Sequence, residues 1–98
     1  MYAHPQQGQA PAETQKLRQD AGRWLKSLRE EAGLSQRQLA NAVGVEYYTF
    51  ISQIEAGRGR IPPERYEAFA TALEKEPASF VRELMRYYDP ITHRILFG

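Results

Sequence analysis

Apolar side chains recur along this chain at the spacing of helix faces. Leu17, Ala21, Trp24, Leu25, Leu28 and Ala32 follow the i, i+4, i+7, i+8 pattern of one face. Gly33 stands where a left-handed cap closes such a helix. Trp24 falls among the core positions. Ser35 predicts the N-cap of a second helix, Gln38 completes a capping box, and Gly44 ends it. A third helix is expected to start near Glu46 or Tyr47 and to stop at Ala56, with Gly57 as terminator. Tyr47 then lies on its core side with Phe50, Ile51 and Ile54. The loop GRGRIPP follows, mobile in its Gly half and stiff in its Pro half, with Pro63 suited to the first turn of a new helix. Tyr66, Phe69, Ala70 and Leu73 give a fourth helix its apolar face. Pro77 opens a fifth, where Phe80, Val81, Leu84, Met85 and Tyr88 repeat the pattern.

The end of the chain, ITHRILFG, fits two periods. Ile91, Ile95 and Leu96 suit a short helix, while Ile91, His93, Ile95 and Phe97 suit a strand. Asp89 as N-cap with Pro90 at the first helical position favours the helix. Ile91, Ile95, Leu96 and Phe97 are more apolar surface than a solvated end needs. They either seal the bottom of the core or contact a second subunit. The fold class is all-α, a compact bundle of five or six short helices. The domain proper is residues 15–89, behind a Gln-, Pro-, Ala- and Gly-rich arm at residues 1–14 expected to be disordered, and before an apolar tail at 90–98.

Within that bundle, Ser35 to Gly57 is the stretch the rest is arranged around. Leu39, Ala40, Val43, Val45, Ile51 and Ile54 let two helices bury a shared wedge across the Gly44 turn. The outer face offers Tyr48, Thr49, Ser52 and Gln53. Two helices crossing steeply about a short Gly-containing turn form a helix-turn-helix, the unit that sets its second helix in a DNA major groove.

Composition narrows the alternatives. A chain of 98 residues with no cysteine is one domain that needs no disulfide and has no thiolate metal site. Its two histidines, His4 and His93, have no ligand spacing, so neither metal nor cofactor is expected. No apolar run approaches the roughly 20 residues that span a bilayer, and the N-terminus lacks the charged and apolar regions of a secretory signal. A cytoplasmic protein without a membrane partner is expected. A net charge of +1 says little about nucleic acid; distribution says more. Arg18, Arg23, Lys26, Arg37, Arg58 and Arg60 make the first half mildly basic, whereas Glu64, Glu67, Glu74, Glu76 and Glu83 gather in the second. A mixed solvated surface accounts for this equally well. No Ser/His/Asp or Cys/His set and no glycine-rich phosphate loop is present, so an enzyme is not expected.

LREEAGLSQRQLANAVGV and ISQIEAGR resemble the Cro/lambda-repressor-like helix-turn-helix family, also called the XRE family, and the likeness covers roughly Ala21 to Leu73. The resemblance implies the lambda-repressor-like fold and a double-stranded DNA partner. It places Gln36 where the family holds a phosphate at the start of its second helix, next to Ser35 and backbone N–H groups that favour anions. Arg29 and Glu55 align with an ion pair that ties the first helix to the end of the third. Gln53 aligns with a base-reading position. Between the turn and closing glycines the chain carries one residue more than most of the family, which must either lengthen the turn or start the recognition helix earlier.

No Lys or Arg lies between Glu46 and Glu55. Glutamine pairs with adenine, and threonine or aromatic carbon packs on a thymine methyl. Gln53 and Thr49 are therefore expected to read A·T pairs, with Tyr48 and Ser52 on bases or phosphates. Tyr48 serves equally as a plain surface aromatic. Arg37, Arg58 and Arg60 would add backbone attraction, or Arg58 and Arg60 only solubilise a loop. The function expected is a sequence-specific transcription regulator acting as a homodimer. The alternative is a module, or an antitoxin, that binds a protein partner through the same scaffold.

Overall fold

The first helix is longer than its apolar face requires. In the computed structural model, which describes residues 11–98, α1 spans Pro11–Glu31. Residues 11–14, expected in the arm, belong to this helix, which opens on a residue whose fixed φ suits a first turn. The rest of the expected arm, residues 1–10, lies outside the described residues. Then follow α2 (Gln36–Ala42), α3 (Thr49–Glu55), a 3-10 turn (Pro63–Arg65), α4 (Tyr66–Ala72), α5 (Pro77–Tyr88) and α6 (Pro90–Phe97). The tail is thus a helix, and the described residues form six α-helices.

One core joins the first five. Leu25 and Leu28 of α1 meet Leu39 and Ala40 of α2, Ile51 and Ile54 of α3, Phe69 of α4, and Phe80 and Leu84 of α5. Each large aliphatic or aromatic side chain so buried contributes about 1.5–3 kcal/mol, enough in sum to hold helices of seven residues that would not persist alone. α1 packs across α3 and α5, α4 bridges α2 and α5, and α6 lies on α5. Trp24 is half-buried at the α1–α5 seam, its ring centroid 5.5 Å from those of both Phe80 and Tyr87.

Polar termini are satisfied locally. The capping box is complete: the Gln38 N–H donates to Ser35 Oγ at 3.0 Å, and the Ser35 N–H donates to Gln38 Oε1 at 2.8 Å. Asp89 caps α6 by accepting from the Thr92 N–H at 3.2 Å. Glu76 caps α5, and the N–H groups of Ser79 and Ala78 hold its carboxyl below the usual carboxylate range. Gly33, Gly44 and Gly57 all adopt positive φ at the ends where termination was expected.

The loop after α3 is anchored by a residue that no helical period marks. Ile61 is fully buried, and its N–H donates to the Tyr88 hydroxyl at 2.9 Å. Burial raises the Tyr88 pKa, against the lowering effect of that hydrogen bond. The phenol is thus a buried acceptor for an otherwise orphaned backbone donor.

At Gly22 two helices meet backbone to backbone. A Cβ there would lie 2.2 Å from the Glu55 carbonyl oxygen and 2.9 Å from that of Ile54, all backbone that cannot step aside. α1 therefore crosses the end of α3 with its main chain in contact. A lone Gly inside a helix costs about 1 kcal/mol relative to Ala, so this one is retained for packing. Gly22→Ala should reverse that propensity gain and destabilise the fold by about 1–3 kcal/mol through overpacking. Urea denaturation would check it; a variant as stable as the parent would mean that the helices separate freely.

Candidate nucleic-acid interface

The surface begins with the turn between α2 and α3. α3 starts at Thr49, not at Glu46 or Tyr47, and ends at Glu55 with Ala56 as its C-cap. The additional residue therefore lengthens the turn. That turn is fixed from both sides: the Val45 N–H donates to Ala40 O at 3.0 Å, and Arg65 Nη1 donates to Val43 O at 2.7 Å. Arg65 had no signal in the sequence, since nothing in its spacing points back to α2.

Tyr47 departs from expectation as a consequence. It is 67% exposed instead of buried. Outside the helix, its spacing to Phe50, Ile51 and Ile54 no longer defines a common face. Tyr48 takes the N-cap position and is 37% exposed, with the Arg37 guanidinium 4.3 Å above its ring. A cation held over an aromatic face at that distance is worth about 0.5–1 kcal/mol at an exposed site. It links α2 to the beginning of α3.

α3 has two faces. Ile51 and Ile54 are buried at 1% and 3% exposure, while Thr49 and Gln53 are exposed one turn apart. Ser52 is half-buried, and its hydroxyl donates back to Thr49 O at 3.3 Å. Gln53 Oε1 accepts from Arg58 Nε at 3.0 Å. A guanidinium thus reaches the strip from beyond the helix, although α3 itself contains none. Arg37, Tyr48, Thr49, Gln53 and Arg58 share one side of the molecule. Arg60 turns towards α5 instead, its guanidinium 4.4 Å above the Tyr88 ring with Arg18 at 5.8 Å.

Beneath the strip, α3 is tied down by a buried ion pair. Arg29 Nε donates to Glu55 Oε2 at 2.6 Å and Nη2 to Glu55 Oε1 at 3.0 Å, with side chains only 9% and 6% exposed. Arg29 Nη1 also donates to Leu34 O at 2.8 Å. The hydrogen bonds to Glu55 outweigh burial and raise the Arg29 pKa. Gln36, expected at a phosphate, donates through Nε2 to Glu55 Oε1 at 3.0 Å in the free chain. The Ser35 hydroxyl oxygen accepts the cap hydrogen bond already described.

α6 lies apart from this strip. Ile91, Ile95, Leu96 and Phe97 are 45%, 70%, 66% and 46% exposed, so they do not seal the core. Phe97 is turned back to α5, under the Arg82 guanidinium at 4.6 Å and beside His93 at 5.1 Å. Among the described residues no His, Asp or Glu group could hold a metal ion, and no helix is long and apolar enough to cross a membrane.

A family model described as a helix-turn-helix domain matches residues 20–80. Among solved structures, the chain is similar to the restriction-modification controller protein C.AhdI from Aeromonas hydrophila, with 31% identity and a TM-score of 0.57 over 66% of this chain and 96% of that one. It is also similar to the clp gene regulator ClgR from C. glutamicum, with 30% identity and a TM-score of 0.59 over 72% of this chain and 90% of that one. No curated protein sequence matches the chain.

Arg29→Ala should cost about 3–5 kcal/mol, because it strands a buried carboxylate. The double change Arg29→Met with Glu55→Leu should recover much of that loss. Chemical denaturation of the set decides it. A single-variant loss below about 1 kcal/mol would match an exposed pair instead.

Proposed function

The chain belongs to the helix-turn-helix domain family, and on that footing we propose that it is a sequence-specific transcription regulator that sets α3 in a DNA major groove as a homodimer. Its six-helix bundle is the lambda-repressor-like fold. The observation that carries the reading is the division of α3. Its inner face is buried, its end is clamped to α1 by Arg29 and Glu55, and its outer face displays Thr49 and Gln53 to solvent. A helix held this firmly with unpacked polar groups outward suits contact with base edges.

In this reading Gln53 and Thr49 face bases, joined by Tyr48 and the half-buried Ser52. Arg37 and Arg58 flank the strip and neutralise phosphates, and Arg60 does so from its place beside α5. Gln36 donates one Nε2 hydrogen to Glu55 and has its second available for a phosphate. Ser35 serves the same region through its hydroxyl hydrogen, because its oxygen serves the cap.

Dimerisation follows from α6. Ile91 and Ile95 lie one turn apart on one side, Leu96 borders them, and Phe97 contributes its exposed edge. Pairing of two copies there would present two α3 helices to half-sites of one operator. The same apolar helix favours the second reading, a module whose partner is another protein.

Salt separates the two. Fluorescence anisotropy with a selected operator should show affinity falling steeply between 50 and 200 mM salt, as counterion release requires; salt-independent binding would favour the protein-partner reading. Gln53→Ala should cost about 1–3 kcal/mol on that operator and relax preference at one base position. Unchanged specificity would remove Gln53 from base reading. Analytical ultracentrifugation should find the parent dimeric and Ile95→Asp monomeric with its helix content intact. A dimer that persists would place the interface elsewhere.

A further inference from the structure

The lengthened turn does more than delay α3. Between it and the outer face of α3 lies an open groove of about 440 Å³, lined by Val45, Glu46, Tyr47, Thr49, Phe50 and Gln53. A water molecule's share of liquid volume is about 30 Å³, so the groove has room for the edge of a base. Its walls are mainly apolar: Val45 and Phe50 are half-buried, and Tyr47 projects into solvent as no packed core residue would. Glu46 is exposed at its rim and enters none of the ion pairs among the described residues.

We infer that this groove seats 5-methylcytosine in the major groove, with Val45, Tyr47 and Phe50 around the C5-methyl group and Glu46 accepting from the exocyclic amine. The inference rests on the major-groove reading of α3. Three features of the chemistry select this occupant. A carboxylate brought among phosphates is repelled unless a base donor meets it, and the major-groove donors are cytosine N4 and adenine N6. Only the pyrimidine edge places a C5-methyl group beside that position. Thymine carries the methyl but presents O4, an acceptor that a carboxylate opposes.

The far rim agrees with this assignment. Gln53 has its amide oxygen turned to Arg58 Nε at 3.0 Å. That leaves the pair with N–H donors, which match O6 and N7 of a guanine. A methylated C·G pair satisfies the apolar wall, the carboxylate and the donor pair together. Tyr47 and Glu46 are then specificity-determining residues placed there by the added residue in the turn.

The test uses the full chain and duplex pools made with deoxycytidine or with 5-methyldeoxycytidine. Selected sites are resynthesised with C, methylated C or T at each pyrimidine, and affinities are measured across a salt series. At one position methylated C should exceed C by about fourfold, which is what one buried methyl-sized carbon is worth. It should exceed T by about tenfold, in the range of a mismatched base contact. Tyr47→Ala should bring the first ratio towards one, and Glu46→Gln the second; both residues are exposed, and thermal melts confirm folding. Equal binding of methylated C and C at every position overturns the inference. Equal binding of methylated C and T removes Glu46 from base reading and overturns it as well. Absence of salt-dependent binding to any pool would instead strike the major-groove reading itself.

Discussion

Everything in the outer strip depends on the hydrogen-bonded ion pair beneath it. Arg29 reaches from α1 to Glu55 at the last turn of α3 and to the Leu34 carbonyl in the link to α2. Three segments are thereby fixed by one guanidinium. In a buried setting the cost of desolvating both charges is offset only when their hydrogen bonds are nearly all made, and here Gln36 supplies one more to Glu55. The pair's net stabilisation is modest by that accounting. Its structural effect is large, because α3 has only seven residues and no side-chain cap at its start. A helix that short holds its direction through tertiary contacts, not through its own hydrogen bonds.

The strip itself is unusual in carrying no charge on the helix. Its cations come from either side: Arg37 over Tyr48 and Arg58 on Gln53. Both are held in place by a partner in the free chain, so little rotamer freedom remains to be lost when a ligand arrives. The turn then adds aromatic surface in Tyr47 and Tyr48 where the helix supplies only small polar groups. In the proposed reading, attraction and discrimination are divided, the flanks providing the first and the centre the second.

Much of this was legible in the residues. The apolar faces of α1, α4 and α5 follow the helical period, and the caps at Ser35, Asp89 and the three glycines follow local backbone chemistry, so they could be read without tertiary knowledge. The Arg29–Glu55 pair came only through family likeness, since 26 positions separate its members. Tyr47 leaves the expected face because α3 begins only at Thr49, and one residue of slack in a turn is enough to take a side chain off a face. Ile61, Arg65 and Gly22 act across the bundle. Their partners (the Tyr88 hydroxyl, the Val43 carbonyl and the Glu55 carbonyl) are set by how elements meet, which no short-range period encodes. Gly22 alone had a hint, as a poor helix former retained mid-helix.

The main-chain contact at Gly22 has a consequence for how such a protein can change. Because α1 meets the end of α3 backbone to backbone, the position of α3 does not depend on which side chains its outer face carries. Residues 49, 52 and 53 can vary without moving the helix that bears them. The fold thus separates shape from surface: the bundle sets where the outer face of α3 stands, and the side chains on that face set only what it presents.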